Sequence, residues 1–291
     1  VNSVSSQFQI FARHNCRMTI TGLHHITLVT RDAQRNLDFY THELGLRLVK
    51  KTVNFDDPSA YHLYYADATG SAGTAITFFE WKRASRGAPG IGGTQHMTLG
   101  YGDSKGGTTQ RISDPDGTQI ELVGDTRKPY RGMLCITALS SDLERADAFF
   151  GGVLGLHTAR VSPDEYTWSA QAAGPAMLRY LRRDPASTPN ARMGAGQTHH
   201  YALAVADDAT QLSFQDRLAR AGYRVSPVMD RSYFHSIYTN DPDGHIVEIA
   251  TVPPGFGIDE QIDQLGANLK LPSWLEPHRA EIEQSLTPLH A

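Results

Sequence analysis

The chain has 291 residues, 40% of them hydrophobic and 20% charged, with a formal net charge of -4 and a pI near 6.4. This size and composition suit one large or two modest folded domains, and the mild acidity excludes an electrostatic case for nucleic acid or a membrane surface as partner. No apolar run approaches the roughly 18 residues of a membrane-spanning helix. The two cysteines, Cys16 and Cys135, make no disulfide framework, so a reducing cytoplasm is the expected setting.

Residues 1–20 read as a mobile extension. They are polar apart from Phe8 to Ala12, a patch too short for a signal peptide. Periodic structure starts after Met18, which places the natural start near that residue; the Arg- and Ser-bearing, acid-free composition leaves a transit peptide as the alternative. From Thr21 to Thr30 the chain reads as a strand. Asp32 then caps a helix with Leu37, Tyr40 and Leu44 at helical spacing, and Gly45 ends it. Three more strands follow, from Val49, Tyr61 and Thr74, divided by Asp56-Asp-Pro and by Ala68 to Gly73. This is a βαβββ unit, and Gln95 to Tyr101 opens a second one.

The chain repeats itself. Cys135, Asp142 and Leu154 each stand 110 residues after His25, Asp32 and Leu44, so the third unit copies the first through strand, cap and helix stop. The second and fourth units match at His96 and His200, and again at Asp114-Pro-Asp-Gly…Glu121 and Asp241-Pro-Asp-Gly…Glu248, but with offsets of 104 and 127. The second unit is therefore 23 residues shorter; a helix corresponding to Thr210–Arg220 is missing. The expected fold is α+β: four tandem βαβββ units in two open half-barrel domains, residues 21–126 and 131–252. A tail, 253–291, carries a short amphipathic helix near its end.

Three residues fit a metal. Two imidazoles and one carboxylate on one face make the facial triad of non-haem Fe(II) oxygenases, which leaves neighbouring positions open for substrate and O2. His25 and His200 hold equivalent places on the first strands of units one and four, and Glu248 lies on the closing strand of unit four. Successive strand residues point to opposite faces, so each His-His pair needs sorting. The single His96 of unit two aligns with His200, which favours the second member of each pair as ligand. His24 and His199 remain as cavity residues. The symmetric counterpart would be Cys135, His96 and Glu121, where Cys replaces His; that set argues against a second Fe(II) site, although its thiolate and imidazole suit Zn(II).

Gly22-Leu-His-His-Ile-Thr-Leu-Val, Tyr61-His-Leu-Tyr-Tyr-Ala-Asp, Thr198-His-His-Tyr-Ala-Leu-Ala-Val, Asp230-Arg-Ser-Tyr-Phe-His-Ser-Ile-Tyr238 and Leu271-Pro-Ser-Trp-Leu-Glu-Pro together resemble the hydroquinone-type ring-cleaving dioxygenases of the vicinal oxygen chelate superfamily. That superfamily also includes glyoxalase I and the catechol extradiol dioxygenases. The resemblance runs from about Thr21 to Leu286, apart from the shortened unit. It implies an Fe(II) site at His25, His200 and Glu248, with Mn(II) or Zn(II) as substitutes, and substrate-side roles for His24, Thr27, His199, Arg231 and Tyr238. It further implies O2 and a small aromatic substrate, a para-hydroquinone with halogenated or alkylated rings included. A homo-oligomer is compatible with it. The rival readings are a glyoxalase-type lyase or isomerase and a metal-free small-molecule binding protein on the same fold.

Overall fold

The computed structural model describes residues 19–103 and 108–290. The extension expected at 1–20 lies outside the described residues up to position 18. Unit one is β1 (Gly22–Thr30), α1 (Ala33–Asp38) running into a π-helical turn (Phe39–Glu43), β2 (Arg47–Asn54), β3 (Asp57–Ala66) and β4 (Ala75–Glu80). Unit two is β5 (Thr94–Tyr101), β6 (Thr109–Ser113) and β7 (Gln119–Gly124), with neither a helix nor a fourth strand among its described residues. Unit three is β8 (Tyr130–Ser140), α2 (Leu143–Asp147) with its own π-helical turn (Ala148–Val153), β9 (His157–Ser162), β10 (Glu165–Ser169) and β11 (Leu178–Arg182). Unit four is β12 (Thr198–Val205), α3 (Asp208–Arg220), β13 (Met229–Asp230), β14 (Phe234–Asn240) and β15 (Ile246–Pro254).

Helix starts follow the expected chemistry. The Asp32, Asp142 and Asp207 side chains each accept from the backbone N–H three residues on, at 3.0, 3.0 and 2.8 Å. The two copied helices change winding in their second half, so Leu44 N–H bonds back to Phe39 O and Leu154 N–H to Phe149 O. Gly45 follows with φ +66°.

The units pair out of order. One sheet has eight strands in the order β13-β14-β15-β12-β1-β4-β3-β2 and unites units one and four; the other, β6-β7-β5-β8-β11-β10-β9, unites units two and three. Segments 21–126 and 131–252 therefore each contribute to both sheets. The registers repeat as the sequence does: Thr27 faces His200 where Thr137 faces His96, and Ala202 faces Glu248 where Thr98 faces Glu121. Even the irregularities repeat, with extra residues at His24 and His199 in one sheet and at Leu134 and Gln95 in the other.

The two Asp-Pro-Asp-Gly turns clamp the sheets together. In each, the first aspartate closes its own turn, Asp114 accepting from Asp116 and Thr118 N–H, and Asp241 from Asp243 and His245 N–H. The second reaches the end of the opposite sheet's central strand: Asp116 binds the Thr30 hydroxyl at 2.6 Å, and Asp243 binds both Ser140 and Ser141 hydroxyls. Gly92 and Gly196, both at positive φ, pass so close to the Asp243 and Asp116 carbonyls that a Cβ would stand 2.2 and 2.3 Å from the oxygen.

Behind both sheets lies one apolar core, with Tyr40, Phe78, Phe149, Phe150, Trp168 and Phe214 fully buried. The tail crosses the edge of β2, where Lys51 bridges to Leu269 in parallel. Beside it Lys50 is wholly buried, its Nζ held by Asp259 at 2.6 Å, by Glu260 and by the Phe256 carbonyl, over the Tyr233 ring. The tail helix expected near the C-terminus is α4 (Arg279–Ser285), whose Ile282 is buried.

Candidate metal centre

His25, His200 and Glu248 meet on the inner face of the eight-stranded sheet, all buried. His25 Nε2 is 3.2 Å and His200 Nε2 2.9 Å from Glu248 Oε2, and the two Nε2 atoms are 3.3 Å apart. Ligand atoms at adjacent corners of an octahedron, each about 2.1 Å from its centre, are about 3.0 Å apart. The three distances match one face of such an octahedron.

The neighbouring histidines decide which nitrogen is free. The pleat argument for separating the members of each pair does not hold, because neither strand is regular there. His24 and His199 are the extra residues of β-bulges, and a bulge re-aims side chains. Both His24 and His25 rings consequently pack on Phe234, at 4.9 and 5.1 Å, and their Nδ1 atoms lie 2.9 Å apart. Burial, with help from His25, pushes the His24 pKa down to about 3, so its ring is neutral; that ring is also hydrogen-bonded to the Thr251 backbone. Having spent its one proton there, His24 accepts from His25 Nδ1–H, which leaves the His25 Nε2 lone pair aimed at the centre. His199 stands the same way to His200, Nδ1 to Nδ1 at 2.7 Å, with its pKa lowered by burial to about 4.

The donor set fits a divalent cation. Glu248 Oε1 accepts from the Ser236 hydroxyl, whereas Oε2, fully buried, receives no well-aligned hydrogen bond from the described residues despite two nitrogens at contact distance. Burial works against ionisation of Glu248, but the imidazoles beside it hold its carboxyl well below the usual carboxylate range. Three lone-pair atoms converging without a proton between them repel unless a positive charge sits among them.

The centre opens on a cavity of about 210 Å3 walled by Phe55, His62, Tyr64, Phe79, Trp81 and Phe234. Arg231 and Tyr238 line it too: Arg231 Nε donates to Tyr238 Oη at 3.1 Å, its guanidinium lies over that ring, and Nη1 reaches Asp56 at 3.4 Å. His199 also lines this cavity; His24 lines a separate one with Phe234 and Phe256, and Thr27 is fully buried and lines neither. His62, Tyr64 and Phe234 received no assignment from the sequence. The signal was present for two of them, since His62 and Tyr64 alternate on one strand and must share a face.

The corresponding place in the second sheet differs. His96 Nε2 is 3.9 Å from Glu121 Oε2, but Glu121 is paired with Arg111 at 3.3 Å and accepts from the Thr98 hydroxyl. Burial pushes the Cys135 thiol up to about 11. Among the described residues, the metal-type cluster is that of His25, His200 and Glu248.

Comparison with known proteins agrees with this architecture. Residues 22–105 and 133–249 match the family described as Glyoxalase/Bleomycin resistance protein/Dioxygenase superfamily. The chain is 36% identical to "Putative ring-cleaving dioxygenase MhqO" of Bacillus subtilis, over 92% of this chain and 96% of that protein. It is 28% identical to the "Chlorohydroquinone/hydroquinone 1,2-dioxygenase" of Sphingobium indicum, over 92% and 96%. A crystal structure of a "putative dioxygenase" from Bacillus subtilis superposes with a TM-score of 0.84 at 34% identity, covering 94% of this chain and 98% of that one. Two copies of the family's domain, and relatives matched over nearly their full length, make this chain a member of the glyoxalase/bleomycin resistance protein/dioxygenase superfamily.

Proposed function

We propose that the protein is an Fe(II)-dependent dioxygenase that opens the ring of hydroquinone-type aromatics, halogenated and alkylated ones included, with O2. The observation that carries the reading is three ligand atoms in facial spacing at one wall of a cavity lined by aromatic rings. An apolar cavity of about 150 Å3 accepts benzene, so about 210 Å3 takes one substituted ring and little more. The names of the relatives, ring-cleaving and hydroquinone dioxygenases, point to the same chemistry.

His25, His200 and Glu248 would hold the metal, which supplies the electronic link between an electron-rich ring and O2. The chain's own part is positioning. Phe79 and Trp81, parallel rings whose planes are 6° apart, give the cavity an apolar side for the substrate ring. Arg231, fixed over Tyr238, offers guanidinium protons to an anionic oxygen. Burial raises the Tyr238 pKa, which keeps the phenol protonated as a donor, and neutral His199, its Nδ1 turned to His200, keeps its proton on Nε2 as a further donor. His24 locks the tautomer of His25.

The test is oxygen uptake by anaerobically Fe(II)-reconstituted protein given hydroquinone, chlorohydroquinone, methylhydroquinone or catechol. Uptake with a hydroquinone, lost by at least 100-fold in Glu248→Ala, is the expected result. One bound iron and no uptake with any ring would overturn the reading and turn attention to lyase substrates. Failure to bind metal at all would favour a binding protein.

A further inference from the structure

Four side chains on one side of the cavity form an unbranched row. Tyr64 Oη lies 3.0 Å from His62 Nδ1, His62 Nε2 lies 2.9 Å from Thr77 Oγ1, and Thr77 Oγ1 lies 2.8 Å from Thr27 Oγ1. Burial, reinforced by His25, His200 and Arg231, holds the His62 pKa well below its ordinary value, so the ring carries a single proton. Each hydroxyl brings one proton as well. Four protons serve three hydrogen bonds, so one O–H is left over, at an end of the row or at Thr77, which is wholly buried and bonds to no third group among the described residues.

The surroundings of the two ends decide which. Thr27 is fully buried in β1 between β4 and β12, and its hydroxyl bonds only to Thr77 among the described residues. A spare donor there, as at Thr77, would be buried with no acceptor among the described residues, which is unfavourable. Tyr64 lines the same cavity as His25, His200, Arg231 and Tyr238. The row therefore runs outward: Thr27 donates to Thr77, Thr77 to His62 Nε2, and His62 Nδ1–H to the Tyr64 oxygen. The spare proton is the Tyr64 O–H, with the cavity before it.

We infer that Tyr64 is a substrate-binding residue whose Oη–H donates to an oxygen of the bound ring, and that His62, Thr77 and Thr27 are positioning residues that aim it. Thr27 then acts at a distance through the row and does not touch the ring. The ring packing agrees, because Phe256 and Tyr233 meet the Tyr64 ring edge-on at 5.3 and 6.4 Å and hold it in place. The direction of the row stands on proton counting and on the burial of Thr27, whereas the identity of its ligand rests on the dioxygenase reading.

The test is equilibrium binding without turnover: anaerobic titration of Fe(II)-reconstituted protein with hydroquinone, followed by tryptophan fluorescence, with thermal melting of every variant as the folding control. Tyr64→Phe weakens binding about tenfold, the worth of one hydrogen bond of about 1.4 kcal/mol. Thr77→Val and Thr27→Val weaken it about threefold, add nothing to Tyr64→Phe in double variants, and Thr27→Ser binds as the wild type does. Unchanged binding by folded Tyr64→Phe overturns the inference. So does a Thr27→Val loss that exceeds or adds to that of Tyr64→Phe, because Thr27 would then contact the ring itself. Should Tyr64→Phe fail to fold, the valine variants decide: wild-type affinity in both overturns the row. A wild-type protein that binds iron and none of the rings overturns the dioxygenase reading, and with it the ligand named here.

Discussion

At the scale of single residues, two glutamates, the buried Glu248 and the half-buried Glu121, show what the site requires. Glu121 and Glu248 hold equivalent places, yet one is neutralised by Arg111 and the other faces two imidazole nitrogens with no cation among the described side chains. Glu248→Gln keeps the shape and removes the charge, so it should lower affinity for Fe(II) or Mn(II) at least tenfold by equilibrium dialysis; retained affinity would refute the carboxylate as ligand. The histidines also set an acid limit. Burial lowers His24 and His245 to about 3 and His199 to about 4. The unfolded chain therefore binds more protons than the folded one, and stability falls as pH drops below about 6.5 toward 4. Asp241, raised by burial to about 6, works the other way between about 4 and 6, but three groups outweigh one. Both His245 nitrogens are buried without hydrogen-bond partners among the described residues, beside the Tyr201 ring. His245→Leu should gain about 1 kcal/mol near pH 7 and more near pH 5, read by urea unfolding at both values. The convergence of His25, His200 and Glu248 was legible in the sequence because a repeat in register singled out the second histidine of each pair. The role proposed for Tyr64 was not, since it depends on a row that runs from His62 on the same strand to Thr77 and Thr27 on two others.

Elements were legible where the local sequence carries its own instruction. The caps at Asp32 and Asp142, the Asp-Pro-Asp-Gly turns and the shortened second unit are all written in contiguous residues. The bulges at His24 and His199 were not, because an extra residue is defined only against the strand it faces. The tail's attachment was hidden for a similar reason: Lys50 sits in a run of basic and apolar residues and meets Asp259 and Glu260 only in the folded chain. Lys50→Met should leave those two carboxylates facing each other without a counter-charge. The expected loss is about 3–5 kcal/mol, with residues 256–270 cut first in limited proteolysis. Loss below 1 kcal/mol would show that the tail is held mainly by its apolar contacts, such as Phe256 on Tyr64 and Tyr233.

For the whole molecule, repeats in the sequence revealed the four units, and the shared triad indicated that the first must meet the fourth. What they leave out is how the sheets hold each other: Asp116 on Thr30, Asp243 on Ser140, and the linkers bridging at Arg86 to Ala195 and Ile91 to Asn190. Since each half of the chain enters both sheets, fragments 21–126 and 131–290 prepared separately should show no cooperative thermal transition, and mixing them should restore one. A cooperative melt from either alone would refute the interdependence. The pairing order is nested like brackets, units two and three inside one and four. On a ribosome, the inner sheet has all its strands once Arg182 has emerged, while unit one still waits for its partner. His25 must wait 175 residues for His200 and longer for Glu248. The candidate centre is therefore the last part of the body to be completed, and no shorter translation product can bring these three side chains together.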